Sequence, residues 1–186
     1  MSETIAAAPG SPAVPQATQI LEITVIGTPA GQGALSNKGG GRMVHSNHAV
    51  LMPWRAAITQ AAIRALGTHQ RVRVKRQPNC RICGKPNRRH GVISQGPVAV
   101  QMVVTVERSE AAAKRGDLWP DNSTTSDADH HARSVLDALC NGSVYADDGQ
   151  VVVLETTKVF SVTPVPDTLP RPGAVIRVWK IGVPAA

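Results

Sequence analysis

Pro97-Val-Ala-Val-Gln-Met-Val-Val-Thr-Val-Glu107 alternates one set, Val98, Val100, Met102, Val104 and Val106, with a second, Ala99, Gln101, Val103 and Thr105. A period of two in β-branched residues predicts a strand over 97–107. Downstream, 108–126 reads as a polar connection, and Ala132, Leu136, Leu139 and Cys140 recur at helical spacing, which predicts a helix over 129–140 stopped by Asn141-Gly142. Strands are expected at 150–160 and 174–181, separated by a Pro-rich link over 164–172. Upstream, Ile20, Glu22 and Thr24 alternate with Leu21, Ile23 and Val25, which predicts a first strand over 20–26. A Gly-rich stretch without period, 27–42, follows. Pro53 suits the first turn of a helix over 53–66, with Trp54, Ile58, Ala61, Ala62 and Ala65 on one face and Gly67 as its stop. The order strand, helix, strand, helix, strand, strand implies an α+β fold, a small mixed β-sheet with two packed helices.

The chain of 186 residues suits one domain, expected over 19–186 behind a mobile tail of small residues and prolines over 1–18. With 42% hydrophobic and 18% charged residues, a wholly disordered or collagen-like chain is excluded. Aromatic residues are 3%, so the core must be aliphatic and an aromatic base-stacking platform is disfavoured. No apolar run reaches the about 18 to 20 residues of a membrane span, and the first residues lack a basic flank and apolar centre, so a cytoplasmic location is expected.

The charges are segregated. Nine cations and no acid lie between Arg64 and His90, whereas ten acids and four cations lie between Glu107 and Glu155. Such an uncompensated block serves a polyanion more often than it decorates a solvated face, and Arg71, Arg73, Lys75, Arg76, Arg88 and Arg89 are its expected contacts with that polyanion. The block has no sustained helical or strand period, and 68–95 reads as an insert. Within it, Cys80-Arg-Ile-Cys83-Gly84 is half of a zinc knuckle. His90 is the expected third ligand and His69 the nearest fourth; a plain thiol pair and a site shared between two chains are the alternatives. Cys140 is assigned to the helix core, and His45 and His48 read as polar loop residues.

Asp127 and Asp129 enter the second helix, and Asp147 and Asp148 enter the strand after it. Like charges gathered from adjoining elements repel unless a cation intervenes, and Mg²⁺ or Mn²⁺ is the usual one. The plainer reading makes Asp129 a helix cap, leaves Asp127 on a loop and puts Asp147 and Asp148 in a turn.

The stretch Ser126-Asp-Ala-Asp-His-His-Ala-Arg-Ser-Val-Leu-Asp-Ala-Leu-Cys-Asn-Gly142, followed by Val144-Tyr-Ala-Asp-Asp-Gly-Gln-Val151, resembles the signature of RusA-type Holliday-junction resolvases, D-x-D-N-x-x-K-x-x-x-D-A-L-N-G and then D-D-x-Q-V/I. Asp127, Asp129, Asp137, Ala138, Leu139, Asp147, Asp148 and Gln150 match it. The resemblance is weaker over 20–66 and 97–181, where Gly27-Thr-Pro29 is similar to the family's turn after its first strand. His130 stands where the family has Asn and Arg133 where it has Lys. The basic residues usual after the turn are replaced by Gln32 and Ala34, and the Cys-containing insert is outside the family core. The resemblance implies a homodimeric, Mg²⁺-dependent crossover junction endodeoxyribonuclease acting on branched DNA in recombination and repair, leaving 5′-phosphate and 3′-hydroxyl ends. In it Asp127, Asp129 and Asp148, with Asp147, hold the metal, and Arg133 neutralises the reacting phosphate. Asp137 is expected to pair with Arg133. The rival class is a non-catalytic zinc-knuckle nucleic-acid-binding protein, in which the acids are structural and the basic block binds. A third reading keeps the scaffold and loses activity through His130.

Overall fold

The computed structural model describes residues 17–37, 43–67, 93–121 and 125–182. Residues 1–16 of the expected tail and 68–92 of the expected insert lie outside them, with Cys80, Cys83, His69, His90 and the basic contacts 71–89.

Along the chain the described elements are β1 (Ala17–Ile26), β2 (Leu35–Asn37), β3 (Met43–His45), α1 (His48–Leu66), β4 (Val98–Val106), α2 (Glu110–Arg115), α3 (Ala128–Asn141), β5 (Val151–Phe160) and β6 (Gly173–Ile181). Four of the strands form one sheet in the order β1-β6-β4-β5. β6 pairs antiparallel with β1 and β4, and β4 pairs parallel with β5. The sheet is therefore mixed, as the element order implies. All nine residues of β4 are buried, Gln101 and Thr105 among them, as befits an inner strand with β6 on one side and β5 on the other.

The two long helices, α1 and α3, cover one face. Leu51, Trp54, Ile58 and Ala62 of α1 and Val135, Ala138 and Leu139 of α3 share a single core with Ile23, Val100, Met102, Val104, Ile176 and Val178 of the sheet. Cys140 is buried there as expected, its thiol donating to the carbonyl of Ala146 at 3.3 Å. The two helices meet closely: Thr59 Oγ1 donates to Ala138 O at 3.0 Å, and a Cβ at Gly142 would lie 3.1 Å from Ala62 Cβ.

The opposite face carries a polar rung across all four strands. Arg177 Nε donates to Glu22 at 3.1 Å and its Nη1 to Gln101 at 3.5 Å, and Gln101 Nε2 donates to Glu155 at 3.0 Å. Asp167, from the Pro-rich link, takes both guanidinium Nη groups at 2.6 and 2.8 Å.

Several expectations need correction. β1 starts at Ala17 rather than Ile20. α1 starts at His48, so Pro53 sits inside the helix rather than in its first turn. The missing N–H bond is tolerated because the extra turn buries Leu51 completely. Ala65, placed on the buried face, is exposed, while Gly67 stops the helix at φ 62°. The Gly-rich stretch contains β2, which pairs as a two-stranded ribbon with β3 just beyond it. The polar connection contains α2, capped by Ser109 Oγ, which accepts from Ala112 N. Residues 93–95, assigned to the insert, are bound into the body: Ile93 N and Ser94 N donate to Ser143 O and Val144 O. Among the described residues no helix is long and apolar enough to cross a membrane.

Candidate metal centre

Asp127 is the N-cap residue of α3, with an extended backbone (φ −66°, ψ 155°), and its side chain makes no capping bond. Asp129 and His130 follow in the first turn. Ligand atoms of Asp127, Asp129 and His130 lie within 4.8 Å of one another. Two carboxylates brought together at a helix N-terminus gain from the local positive potential there, and that potential favours anions without discharging them. Arg133, one turn on, reaches Asp129 at 3.6 Å while remaining mostly exposed.

Three contacts hold this turn. The Gly31 backbone packs so closely on it that a Cβ would lie 2.5 Å from Ser126 Cβ and 2.9 Å from His130 Cβ. Gln32 N donates to His130 O at 2.8 Å. On the other side Lys158 of β5 donates from Nζ to Thr125 Oγ1 at 3.0 Å and Ser126 O at 3.2 Å. The loop after β1 is itself tied down. Asn47 Nδ2 donates to Gly31 O at 2.7 Å, and His45 Nδ1 lies 2.8 Å from Gly33 O. A carbonyl only accepts, so His45 carries its proton on Nδ1, and Nε2 is left to accept from Gln32 Nε2 at 3.2 Å. His45 thus has a positioning part in the loop beside the cluster.

His131, the next residue, is 2% exposed, and neither ring nitrogen has a hydrogen-bond partner. Burial, reinforced by the Lys158 charge, pushes its pKa down to about 4, so the ring is neutral at physiological pH.

The four aspartates expected to act together are divided. Asp147 caps a 3₁₀ turn, Asp148–Gln150, its carboxylate accepting from Gly149 N at 2.9 Å. This turn follows the far end of α3, where Tyr145 donates to Leu136 O at 3.0 Å. α3 has 14 residues and is about 21 Å long, so Asp148 and the Asp127–Asp129 pair occupy opposite ends of one helix. The expected partner of Asp137 is also replaced: Asp137 pairs with Arg55 of α1, because the α1–α3 crossing brings that guanidinium in, and Arg133 turns to Asp129 instead. Gln150 clasps the turn. Its Oε1 accepts from Ala146 N and Asp147 N, and its Nε2 donates to Ser94 O and Gly96 O.

A carboxylate pair with a neighbouring imidazole at a helix start, held by the loop after β1 and by Lys158 of β5, is a donor set suited to a divalent cation. The segment bearing it also matches a known family. Residues 79–166 match the family model described as Endodeoxyribonuclease RusA. The RusA match spans β4, α2, α3 and β5, and so includes Asp127, Asp129, His130, Arg133, Asp147, Asp148 and Gln150. It begins before Cys80, so the cysteine pair and His90 fall within it rather than outside it as expected. β1, α1 and β6 lie beyond it. No curated protein matches the chain.

Sequence reasoning missed Lys158, His45 and Gly31. Lys158 stands in a strand at a position where a cation has no apolar role, which was a usable signal; the other two depend on a tertiary contact that no local pattern contains.

Proposed function

We propose that this protein is a divalent-metal-dependent endonuclease that resolves Holliday junctions and similar branched DNA in recombination and repair. The observation that carries the reading is that the segment matching the RusA model contains the Asp127, Asp129 and His130 cluster. A divalent ion bound there supplies charge opposite the phosphoryl oxygens and makes water a better nucleophile at neutral pH. Asp127 and Asp129 hold the ion. Arg133, exposed beside Asp129, contacts the phosphate next to the bond that is cut.

Asp148 belongs to the same ligand set in this reading, and its separation from the pair along α3 supports a contribution to the site of a second chain. A homodimer then has two composite sites. Asp147, already used as a cap, supports the turn that presents Asp148. Structural zinc on Cys80, Cys83, His90 and His69 is a separate proposal, with loss of about one bound zinc per chain in Cys80→Ser as its check. The cations at Arg71, Arg73, Lys75, Arg76, Arg88 and Arg89 supply the phosphate contacts that Gln32 and Ala34 do not. Neutralising them together should flatten the salt dependence of junction binding by about one unit for each phosphate no longer neutralised.

The deciding experiment is incubation of a labelled four-way junction with the protein and Mg²⁺ or Mn²⁺. Nicks that disappear in Asp129→Asn while the shifted band persists support the nuclease. A shifted band without nicks in the unaltered protein favours the non-catalytic binding protein. Mixing Asp129→Asn with Asp148→Asn restores nicking if the sites are composite, because the mixed dimer retains one intact site; no restoration would place both ligands in one chain.

A further inference from the structure

We propose that His130 is itself a metal ligand and that the centre it completes with Asp127 and Asp129 selects Mn²⁺ over Mg²⁺. This rests on the nuclease reading in taking the metal centre as the site of function.

The geometry favours ligation over the other uses of an imidazole. His130 Nε2 lies 3.9 Å from Asp129 Oδ2, too far for a hydrogen bond and inside the greatest distance that two atoms bound to one ion can span. An ion about 2.1 Å from each ligand keeps its donor atoms within about 4.2 Å of one another. The three donor atoms here, all within 4.8 Å, need only small side-chain rotations to close on it. The backbone that carries them does not have to move. Gln32 N holds His130 O at 2.8 Å, and the Gly31 backbone sits against the Cβ atoms of His130 and Ser126. The imidazole therefore swings only about its own side-chain bonds. Its side chain is 40% exposed, which leaves open coordination positions facing solvent and substrate.

The chemistry then follows from the donor set. Mg²⁺ prefers oxygen in a near-ideal octahedron and keeps several waters. Replacing one oxygen by an imidazole nitrogen weakens it relative to ions that take nitrogen readily. Mn²⁺ accepts both carboxylate and imidazole, and of the two ions it gains from the substitution. In this chain a nitrogen donor stands where the signature has an amide, so the departure changes the metal rather than abolishing the site.

The test uses the full chain and Mn²⁺ itself. Electron paramagnetic resonance titration should show an Mn²⁺ site that is lost in Asp129→Asn. Pulsed measurements should show nitrogen-14 coupling to that Mn²⁺, absent in His130→Asn. His130→Asn should lower Mn²⁺ affinity about tenfold or more while leaving Mg²⁺ affinity, read by competition, within about threefold. Asp129-dependent Mn²⁺ without nitrogen coupling, or coupling that survives in His130→Asn, overturns the ligand assignment and leaves the nuclease reading intact. Absence of any Asp129-dependent divalent site overturns both.

Discussion

Gln150 shows how a single side chain can be required without touching substrate. Its amide satisfies two backbone N–H groups and two carbonyls drawn from separate chain segments, all at 2.7 to 3.2 Å. Gln150→Ala should therefore destabilise the protein by about 2 to 4 kcal/mol, as three partly buried backbone groups and one exposed one lose their partner, and urea unfolding reads this directly. Gln150→Glu should fall between, because it keeps the acceptor and loses both donors. The residue was legible as a letter in a signature, but its work was not, since the carbonyls it reaches lie more than fifty positions away. The same limit explains Asp137. Its spacing from Arg133 suggested a pair along one helix, and the crossing helix supplied a better-buried cation in Arg55.

At the scale of elements, the strands and the long helices were readable because their apolar periods persist through the core. What was missed was short or decided by contact. α2 buries only Ala112, so periodicity had nothing to find, although Ser109 at its start and Gly116 at its end mark it fully. The β2–β3 ribbon has three residues per strand, below the length at which alternation is informative. Loop anchoring is where element placement meets the candidate site. Lys158→Met removes two bonds to the residues entering α3, and Mn²⁺ or Mg²⁺ affinity measured by calorimetry should drop about tenfold while the unfolding midpoint changes little. Lys158→Arg, which keeps a donor, should recover part of that loss.

The rung on the far face makes a prediction about acid. Arg177 holds the carboxyl of Asp167 below its ordinary value of 3.8, and hydrogen bonds from Arg177 and then Gln19 hold Glu22 below its ordinary 4.5. A carboxyl depressed in the folded state adds stability above its unfolded value and loses it as the pH falls through the folded one. Stability should thus be flat near neutrality and decline below about pH 4. Arg177→Met should remove that decline along with about 2 kcal/mol of neutral-pH stability, the exposed Glu22 contributing little of it. Unfolding curves between pH 7 and 3 supply the measurement.

The whole molecule presents its two outer strands differently. β5 is an edge whose Val152 and Leu154 are 61% and 47% exposed, close in sequence to Asp148. Exposed valine and leucine on an edge strand call for a cover, and in a homodimer that cover is a second copy. Val152→Lys with Leu154→Lys should shift the protein to monomer in analytical ultracentrifugation and reduce junction nicking with it, while the unfolding of the monomer is little altered. A dimer of unchanged affinity would move the interface elsewhere.

The rung of Glu22, Arg177, Gln101 and Glu155 also acts on how the chain finds its fold. Each strand contributes one polar member, and each member has its partner only in the native alignment. Displacing β6 by two positions keeps its apolar residues on the core side and would pass a test of hydrophobicity alone, yet it moves the guanidinium off Glu22 and Gln101 and sets it opposite Ala99 or Val103 of β4. The rung thus proofreads the alignment that the valines cannot distinguish. Apolar substitution of all four members should leave a sheet that still forms but samples shifted pairings, visible as doubled amide resonances along β4 and β6.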